Sequence, residues 1–524
     1  MSLHIFIADR FRAVQRAHQI GRFLVVIGLG ISLLPVPRSA NGQDPAILLE
    51  NSLVKVIEQA ESSVVSIAKV RSAPEGTRGL SLRPFAQPGP QDSRPDDPEH
   101  PDFQPNNFGT GILVAGARPS DRLVLTNYHV VQGGPVHSST AEEESRGPLL
   151  YVRFADRRIC QASIIAADPR SDLAVLHMGL AEAKIEPAEL KTLDWTTAPP
   201  IRKGQLVVML GNPYALAHDG SSSASWGMVS NLARRPLPWS EDRTSRSMMY
   251  RLGNLIQIDG RLNLGTSGGP LLSLKGELVG LTTSLAAIEG YEKSAGFAIP
   301  FDDLTRRVVR SLIAGHEVEY GMLGIFPTTI LPSSFRALNT TFKQASAAQA
   351  FTVAANSPAS RAGILADDVI VSVGGIPIYS DSDLMRVVGL HPPGDEVEIV
   401  GWHTRHSIGP FKVKAILGKW PVMDDEGIIE TVPRYAPWRG ITVDYPTGRL
   451  RYHRADDAYR RAVVITRVSP DSAAQSAGIQ AGVFISEVNR VSVATPAEFV
   501  EATKQLRGPV ELRLFDGGKI MIGE

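Results

Sequence analysis

The residues able to do chemistry begin with Ser267, set in Gly265-Thr266-Ser267-Gly268-Gly269-Pro270. A serine hydroxyl is a weak nucleophile until a base takes its proton, and the base needs a carboxylate to orient it. The flanking glycines let the backbone turn tightly and let a substrate carbonyl come close. Gly265-Thr266-Ser267 is therefore the candidate oxyanion hole, with the N–H groups of Gly265 and Ser267 aimed at one spot. The candidate base is His129, in the apolar run Leu125-Thr126-Asn127-Tyr128-His129-Val130-Val131. The candidate carboxylate is Asp172, at the mouth of another apolar run in Asp168-Pro169-Arg170-Ser171-Asp172-Leu173-Ala174-Val175-Leu176. Singly, each has a plainer reading: a glycine turn after a strand, a strand-end histidine, a turn aspartate. Three of them at strand edges, in the order His, Asp, Ser, favour nucleophilic attack on a carbonyl, with His129, Asp172 and Ser267 as the catalytic set.

That order is the one used by chymotrypsin-type double β-barrels. The chain resembles the HtrA/Deg family of serine proteases, whose motifs read T-N-x-H-V, D-x-x-x-D-[LI]-A and G-N-S-G-G-P. Here they stand as Thr126 to Val130, Asp168 to Ala174 and Gly265 to Pro270. Gly109-Thr110-Gly111, Gly211-Asn212-Pro213, Gly227-Met228-Val229-Ser230 and Gly296-Phe297-Ala298-Ile299-Pro300 are further matches, and with two C-terminal modules the resemblance covers residues 46 to 524. The chain departs from the pattern at Thr266, at Leu264 and at Ile258-Asp259-Gly260-Arg261. None of these removes a group the triad needs, but they bear on the oxyanion loop and the shape of the pocket.

The resemblance implies a mostly β protein: a chymotrypsin-like double β-barrel protease domain followed by two PDZ-like α+β modules. It implies an exported, ATP-independent serine endopeptidase of protein quality control, cutting unfolded or damaged polypeptides under stress. It also implies a homo-oligomer, a trimer or a multiple of one. The competing reading is a non-proteolytic peptide-binding scaffold or holdase chaperone on the same barrels. The intact triad favours the enzyme. A third reading, a protease switched on by a C-terminal peptide at a PDZ module, differs in regulation alone. The mechanism calls for no cofactor or metal, and the sequence carries no His-Glu-x-x-His spacing.

The elements that must position these residues follow from composition and order. A chain of 524 residues, 43% hydrophobic and 21% charged, has room for about three or four domains with ordinary cores. Its 54 basic and 54 acidic residues balance, so charge gives no reason to expect a nucleic-acid partner. The single Cys160 cannot form an internal disulfide and sits in an apolar context that suits a core residue. Residues 1–42 carry Arg10, Arg12, Arg16 and Arg22 ahead of an apolar run, Phe23 to Leu34, then small residues at Ser39-Ala40. The run falls short of the roughly 20 residues of a comfortable span. It reads as a secretory signal, with an uncleaved N-terminal membrane anchor as the alternative; either places the body in the periplasm or otherwise outside the cytoplasm.

The protease domain is expected over 46–313, opening with a helix at 46–60 and a strand at 63–67. Within it, 73–107 is rich in Pro, Asp, Arg and Gln and reads as a flexible loop, as do the polar stretches Val136 to Arg146 and Arg234 to Arg246. Leu264, Leu281, Leu285, Ala286 and Ala287 suggest an apolar pocket for the residue before the scissile bond. A helix is expected from Pro300 to Ile313, with Asp302 near its start.

Two later segments repeat one pattern at an offset near 114 residues: Asn356 to Gly375, and Ser469 to Asn489. A helix closed by glycine and followed by a strand resembles the PDZ fold, which holds a peptide as an added strand with its C-terminal carboxylate on backbone N–H groups. PDZ domain 1 is placed at 318–414, a linker at 415–436 and PDZ domain 2 at 437–524. The candidate carboxylate loop of the first comprises Gly321, Met322, Leu323, Gly324 and Ile325, with Ser382 to Leu390 as its groove helix. The second offers Trp438 to Val443 and Pro496 to Leu506, a weaker signal. Each module could instead be a small packing domain without a ligand.

Overall fold

The computed structural model describes residues 44–70, 103, 105, 107–118, 120–134, 136, 148–197, 199–213, 220–234, 254–283, 295–338, 341–405, 407–422, 427–452 and 459–524. The expected signal or anchor, most of the 73–107 loop and of the two polar loops, and Leu285, Ala286 and Ala287 lie outside the described residues.

Six strands close the first barrel: β1 (Val64–Val70), β2 (Asn107–Ala115), β3 (Arg122–Asn127), β4 (Leu149–Arg153), β5 (Ile159–Asp168) and β6 (Leu173–Met178). Their order is β5-β4-β1-β2-β3-β6, and β6 pairs back onto β5. Six more close the second: β7 (Leu206–Gly211), β8 (Ser223–Arg234), β9 (Leu255–Ile258), β10 (Pro270–Ser273), β11 (Leu278–Thr283) and β12 (Gly296–Pro300), in the order β10-β11-β12-β9-β8-β7.

Alternation along single strands sorts their apolar residues into separate cores, because successive side chains leave a strand on opposite faces. In β3, Val124 enters the first barrel while Leu123 and Leu125 pack in a larger core with residues of both barrels. In β6, Ala174 and Leu176 go inward while Leu173 and Val175 go to that shared core. In β7 of the second barrel, Val207 and Met209 go inward, and Val208 and Leu210 meet the first barrel. Strands buried on both faces read as continuous apolar runs rather than alternating ones. This explains why the runs flanking His129 and Asp172 look uniformly hydrophobic in sequence. Leu281, expected at a pocket, is fully buried and packs in the shared core.

Helix Asp303–Ile313 starts at Asp302, whose carboxylate accepts from Thr305 N at 3.0 Å. Its buried Leu304, Val308, Val309 and Leu312 fall on one face, packed into the same core.

Two similar sheets follow. The first runs Ile325–Ile330, Ala347–Val353, Val369–Val373, Glu396–His403, Gly409–Ile416, with helix Asp381–Gly389. The second runs Ile441–Asp444, Val463–Val468, Phe484–Val488, Val510–Leu514, Lys519–Ile522, with helix Pro496–Thr503. The duplication extends to the caps: Ser357 and Ser472 each accept from a backbone N–H three residues on.

The stretch between them does more than link. Gly418–Lys419 pairs with Gly321–Met322, and Ile429–Glu430 pairs with Ala166–Ala167 of β5. The opening exists because β4 covers β5 only from Ile159 to Ala162, leaving the later part of that ten-residue strand an edge to fill.

Cys160, facing into the first barrel, is 4% exposed. Burial, with the charge of Glu182 adding to it, pushes its thiol up to about 12, so almost no thiolate forms near neutrality. Native protein should therefore not react with an aromatic disulfide reagent at about pH 8, while urea-unfolded protein releases one equivalent of chromophore. Rapid reaction of the native protein would contradict this packing.

Candidate active site

His129 and Asp172 are brought together by the pairing of β3 with β6, which sets Asn127 opposite Leu173. His129 Nδ1 lies 2.8 Å from Asp172 Oδ2 and 3.0 Å from Oδ1, and His129 N also donates to Oδ1 at 3.0 Å. One carboxylate thus fixes both the ring and the backbone of the same histidine. Asp172 itself has φ 54°, a left-handed conformation that side chains avoid. It is held there by its carbonyl, which accepts from Asn127 Nδ2 and Tyr128 N, each at 3.0 Å. The side chain of Asp172 is 3% exposed and that of His129 18%, so the carboxylate is enclosed while the ring reaches solvent.

A close His–Asp pair is not by itself a site. His403 Nδ1 also lies 2.8 Å from Asp368 Oδ2, in the first of the later sheets. There the carboxylate also caps Leu365 N at 2.8 Å and the ring packs on Phe411, 4.5 Å between centroids, so the pair staples strands.

Ser267 comes from the second barrel, and its loop is bonded to the first. Thr110 N donates to Ser267 O at 2.8 Å, and Thr110 Oγ1 donates to Gly265 O at 2.7 Å. Thr110 O accepts from Thr126 Oγ1 at 2.7 Å, and Thr126 lies three residues before His129. The loop is therefore tied through two buried threonines to β3, which ends at Asn127 and leads into the helical turn Tyr128–Val131 that carries the histidine. The sequence showed these threonines only as motif letters; a buried threonine within an apolar strand was the available signal. Gly268 must be glycine: it has φ 87°, and a Cβ there would meet Thr110 O at 2.0 Å and Thr126 Oγ1 at 2.4 Å.

Peptide planarity orients the oxyanion donors, because a trans peptide sets each N–H opposite the preceding carbonyl. Thr266 O faces inward, accepting from Thr282 Oγ1 at 2.7 Å and Gly269 N at 3.1 Å, so the Ser267 N–H points the other way. The Thr266 N–H turns back on Asn263 O at 3.2 Å. Of the three oxyanion candidates, Thr266 thus has its N–H turned into the loop, while the Ser267 N–H points away from the inner side.

In the first later module, the five carboxylate-loop candidates divide. Gly321 N donates to His391 O at 2.8 Å, and Gly321–Met322 pairs with Gly418–Lys419. Leu323 O and Gly324 O face inward, accepting from Ala359 N and Ala354 N, each at 2.9 Å. The amides of Gly324 and Ile325 point away from those partners, as carboxylate donors must. The edge strand that would take the peptide, Ile325–Ile330, contains Pro327 opposite Ala350. Ala350 spends its N–H on Asp368 O and its carbonyl on Asp367 N, both on the far side. Pro327 therefore faces the open edge, where it has no N–H to offer an added strand.

Comparison with known proteins agrees with this architecture. Residues 109–281 match the family model of a trypsin-like peptidase domain, and residues 337–401 match that of a PDZ domain. A probable periplasmic serine endoprotease, DegP-like, of Bartonella henselae is 28% identical over 504 residues, covering 91% of this chain and 89% of the relative. Its counterpart in Chlamydia trachomatis is 27% identical, covering 79% of this chain and 73% of its own. The periplasmic pH-dependent serine endoprotease DegQ of Escherichia coli is 29% identical, covering 66% and 67%.

Replacing Pro327 by Ala should restore one ladder bond and tighten binding of a C-terminal decapeptide about fivefold by calorimetry. Unchanged or weaker binding would mean that a peptide does not lie along this edge.

Proposed function

Because the chain belongs to the HtrA/Deg family of serine proteases, we propose that its endopeptidase activity runs through Ser267, His129 and Asp172. Ser267 Oγ attacks the peptide carbonyl. His129 Nε2 takes its proton and later gives it to the leaving amine. Asp172 fixes the Nδ1–H tautomer and balances the imidazolium that forms. The amides of Gly265 and Ser267 receive the oxyanion. The observation that carries this reading is the enclosed His129–Asp172 contact, at the end of strand β3, to which the Ser267 loop is bonded by Thr110 and Thr126.

The substrates are unfolded or damaged polypeptides, cut without ATP. The first PDZ-like module holds C-terminal peptides on the amides of Gly324 and Ile325. Charge gives the protein no attraction to nucleic acid. The relatives' names describe periplasmic endoproteases, and the basic, apolar and small-residue order of the first 42 residues supports export of this chain as well, with a membrane anchor as the alternative. No helix among the described residues is long and apolar enough to cross a membrane. The division into 46–313, 318–414 and 437–524 and a trimeric or higher assembly complete the reading.

Casein hydrolysis tests it. Wild-type protein should cleave, Ser267→Ala should lose about 10⁶-fold in kcat, and Asp172→Asn about 10⁴-fold. Equal cleavage by Ser267→Ala would reject the nucleophile. No cleavage by any form, with or without added C-terminal peptides, would support a scaffold or chaperone instead.

A further inference from the structure

The turn that carries Asp172 is gripped from two sides. On the inner side, Asn127 and Tyr128 hold the Asp172 carbonyl. The outer side was invisible in sequence. Asp168, the last residue of β5, is fully buried and receives Arg170 Nε on Oδ1 at 2.7 Å and the Tyr320 hydroxyl on Oδ2 at 2.6 Å. Arg170 is itself 3% exposed; it reaches on to donate to Val318 O, and its guanidinium lies 4.8 Å from the centroid of the Tyr320 ring. Burial and the charge of Asp168 push the Tyr320 hydroxyl well above its ordinary range, so it stays protonated and donates. Asp168 O in turn accepts from Ser171 N at 3.3 Å, closing the turn from behind Asp172.

Val318 and Tyr320 belong to the segment that leads from helix Asp303–Ile313 into the candidate carboxylate loop, and that segment is fixed at its other end. Lys419 Nζ, 2% exposed, meets Glu317, Glu319 and Asp444 at 3.3, 3.2 and 3.0 Å. Arg449 donates to both Glu317 oxygens, at 3.0 and 2.6 Å. Burial alone would raise the Glu317 carboxyl; Lys419, Arg449 and Arg170 outweigh it and hold the group well below the ordinary carboxylate range. Tyr320 thus presents its hydroxyl from a rigid mount.

We propose that Asp168, Arg170 and Tyr320 are positioning residues that clamp the Asp172 turn from outside, so that the segment leading into the first PDZ-like module is a working part of the catalytic centre. This rests on the reading of Asp172 as the carboxylate that orients His129. A left-handed aspartate persists only where its surroundings over-determine it. Loosening the outer grip lets the turn relax, the Nδ1 bond lengthen and His129 drift from the nucleophile. A small displacement of a catalytic group costs up to about 100-fold in rate. The same residues could merely dock the module, and the two roles differ in what they move.

The test uses full-length protein and a short fluorogenic peptide. Tyr320→Phe removes one oxygen, Arg170→Lys removes the planar fork, and Arg434→Gln removes a partly exposed docking contact at Glu317 O and Glu319 while leaving Asp168 and the buried Lys419 and Arg449 ion pairs that hold the segment in place. Tyr320→Phe should lower kcat about 10- to 100-fold with KM within about twofold, and should shift or broaden the low-field proton of His129 Nδ1. Arg170→Lys should do the same, and stands in should Tyr320→Phe fold poorly. Arg434→Gln should leave both readouts at wild-type values. Wild-type kcat and an unshifted proton in Tyr320→Phe or Arg170→Lys would overturn the clamp. Equal losses in Arg434→Gln would overturn it too, since docking alone would then account for them. If Asp172→Asn is fully active, the reading of Asp172 fails first, and the clamp falls with it.

Discussion

Thr110 makes the contact on which the rest of this structure depends. Its amide and hydroxyl hold Ser267 O and Gly265 O, while its own carbonyl accepts from Thr126. The proposed nucleophile and its proposed base come from different barrels, and the hydrogen bonds within each barrel do not by themselves fix their relative position. A shared apolar core brings the barrels together but is not directional. Hydrogen bonds in a buried, water-free setting are directional and costly to leave unmade. The glycine requirement at Gly268 follows, since the loop must pass within contact of the Thr110 carbonyl.

The same division of labour recurs where the later modules meet the first barrel. Asp168, Arg170, Glu317, Lys419 and Asp444 come from several places along the chain and are all buried, among parts of the structure that have their own hydrophobic cores. Buried ion pairs add little net stability, but removing one partner costs about 3–5 kcal/mol. Such a cluster penalises any docking angle that leaves a charge unmatched. It suits a structure that must set the angle of one turn more than it suits one that must merely hold together.

His129, Asp172 and Ser267 stood out in the sequence as candidates because chemistry restricts the residue types, and the neighbouring glycines restrict the backbone. The two barrels were legible as short apolar runs with turns between them, and the repeated modules by their shared pattern. What could not be read came from distant residues meeting. Asp168 and Tyr320 are separated by about 150 residues and look like a turn carboxylate and a loop aromatic. Leu281 looked like a pocket residue because both faces of β11 are apolar, and only the packing shows which side is core. The strand Ile429–Glu430 was hidden because two residues give no periodicity, and its partner edge exists only once β4 and β5 have paired.

The central claim is that Ser267 is the nucleophile activated by His129. The most direct measurement is covalent labelling of the native protein with a fluorophosphonate, followed by peptide mapping. The account predicts a single adduct on Ser267, with labelling lost in His129→Ala although Ser267 is still present. An adduct on another serine, or equal labelling of Ser267 without His129, would contradict it.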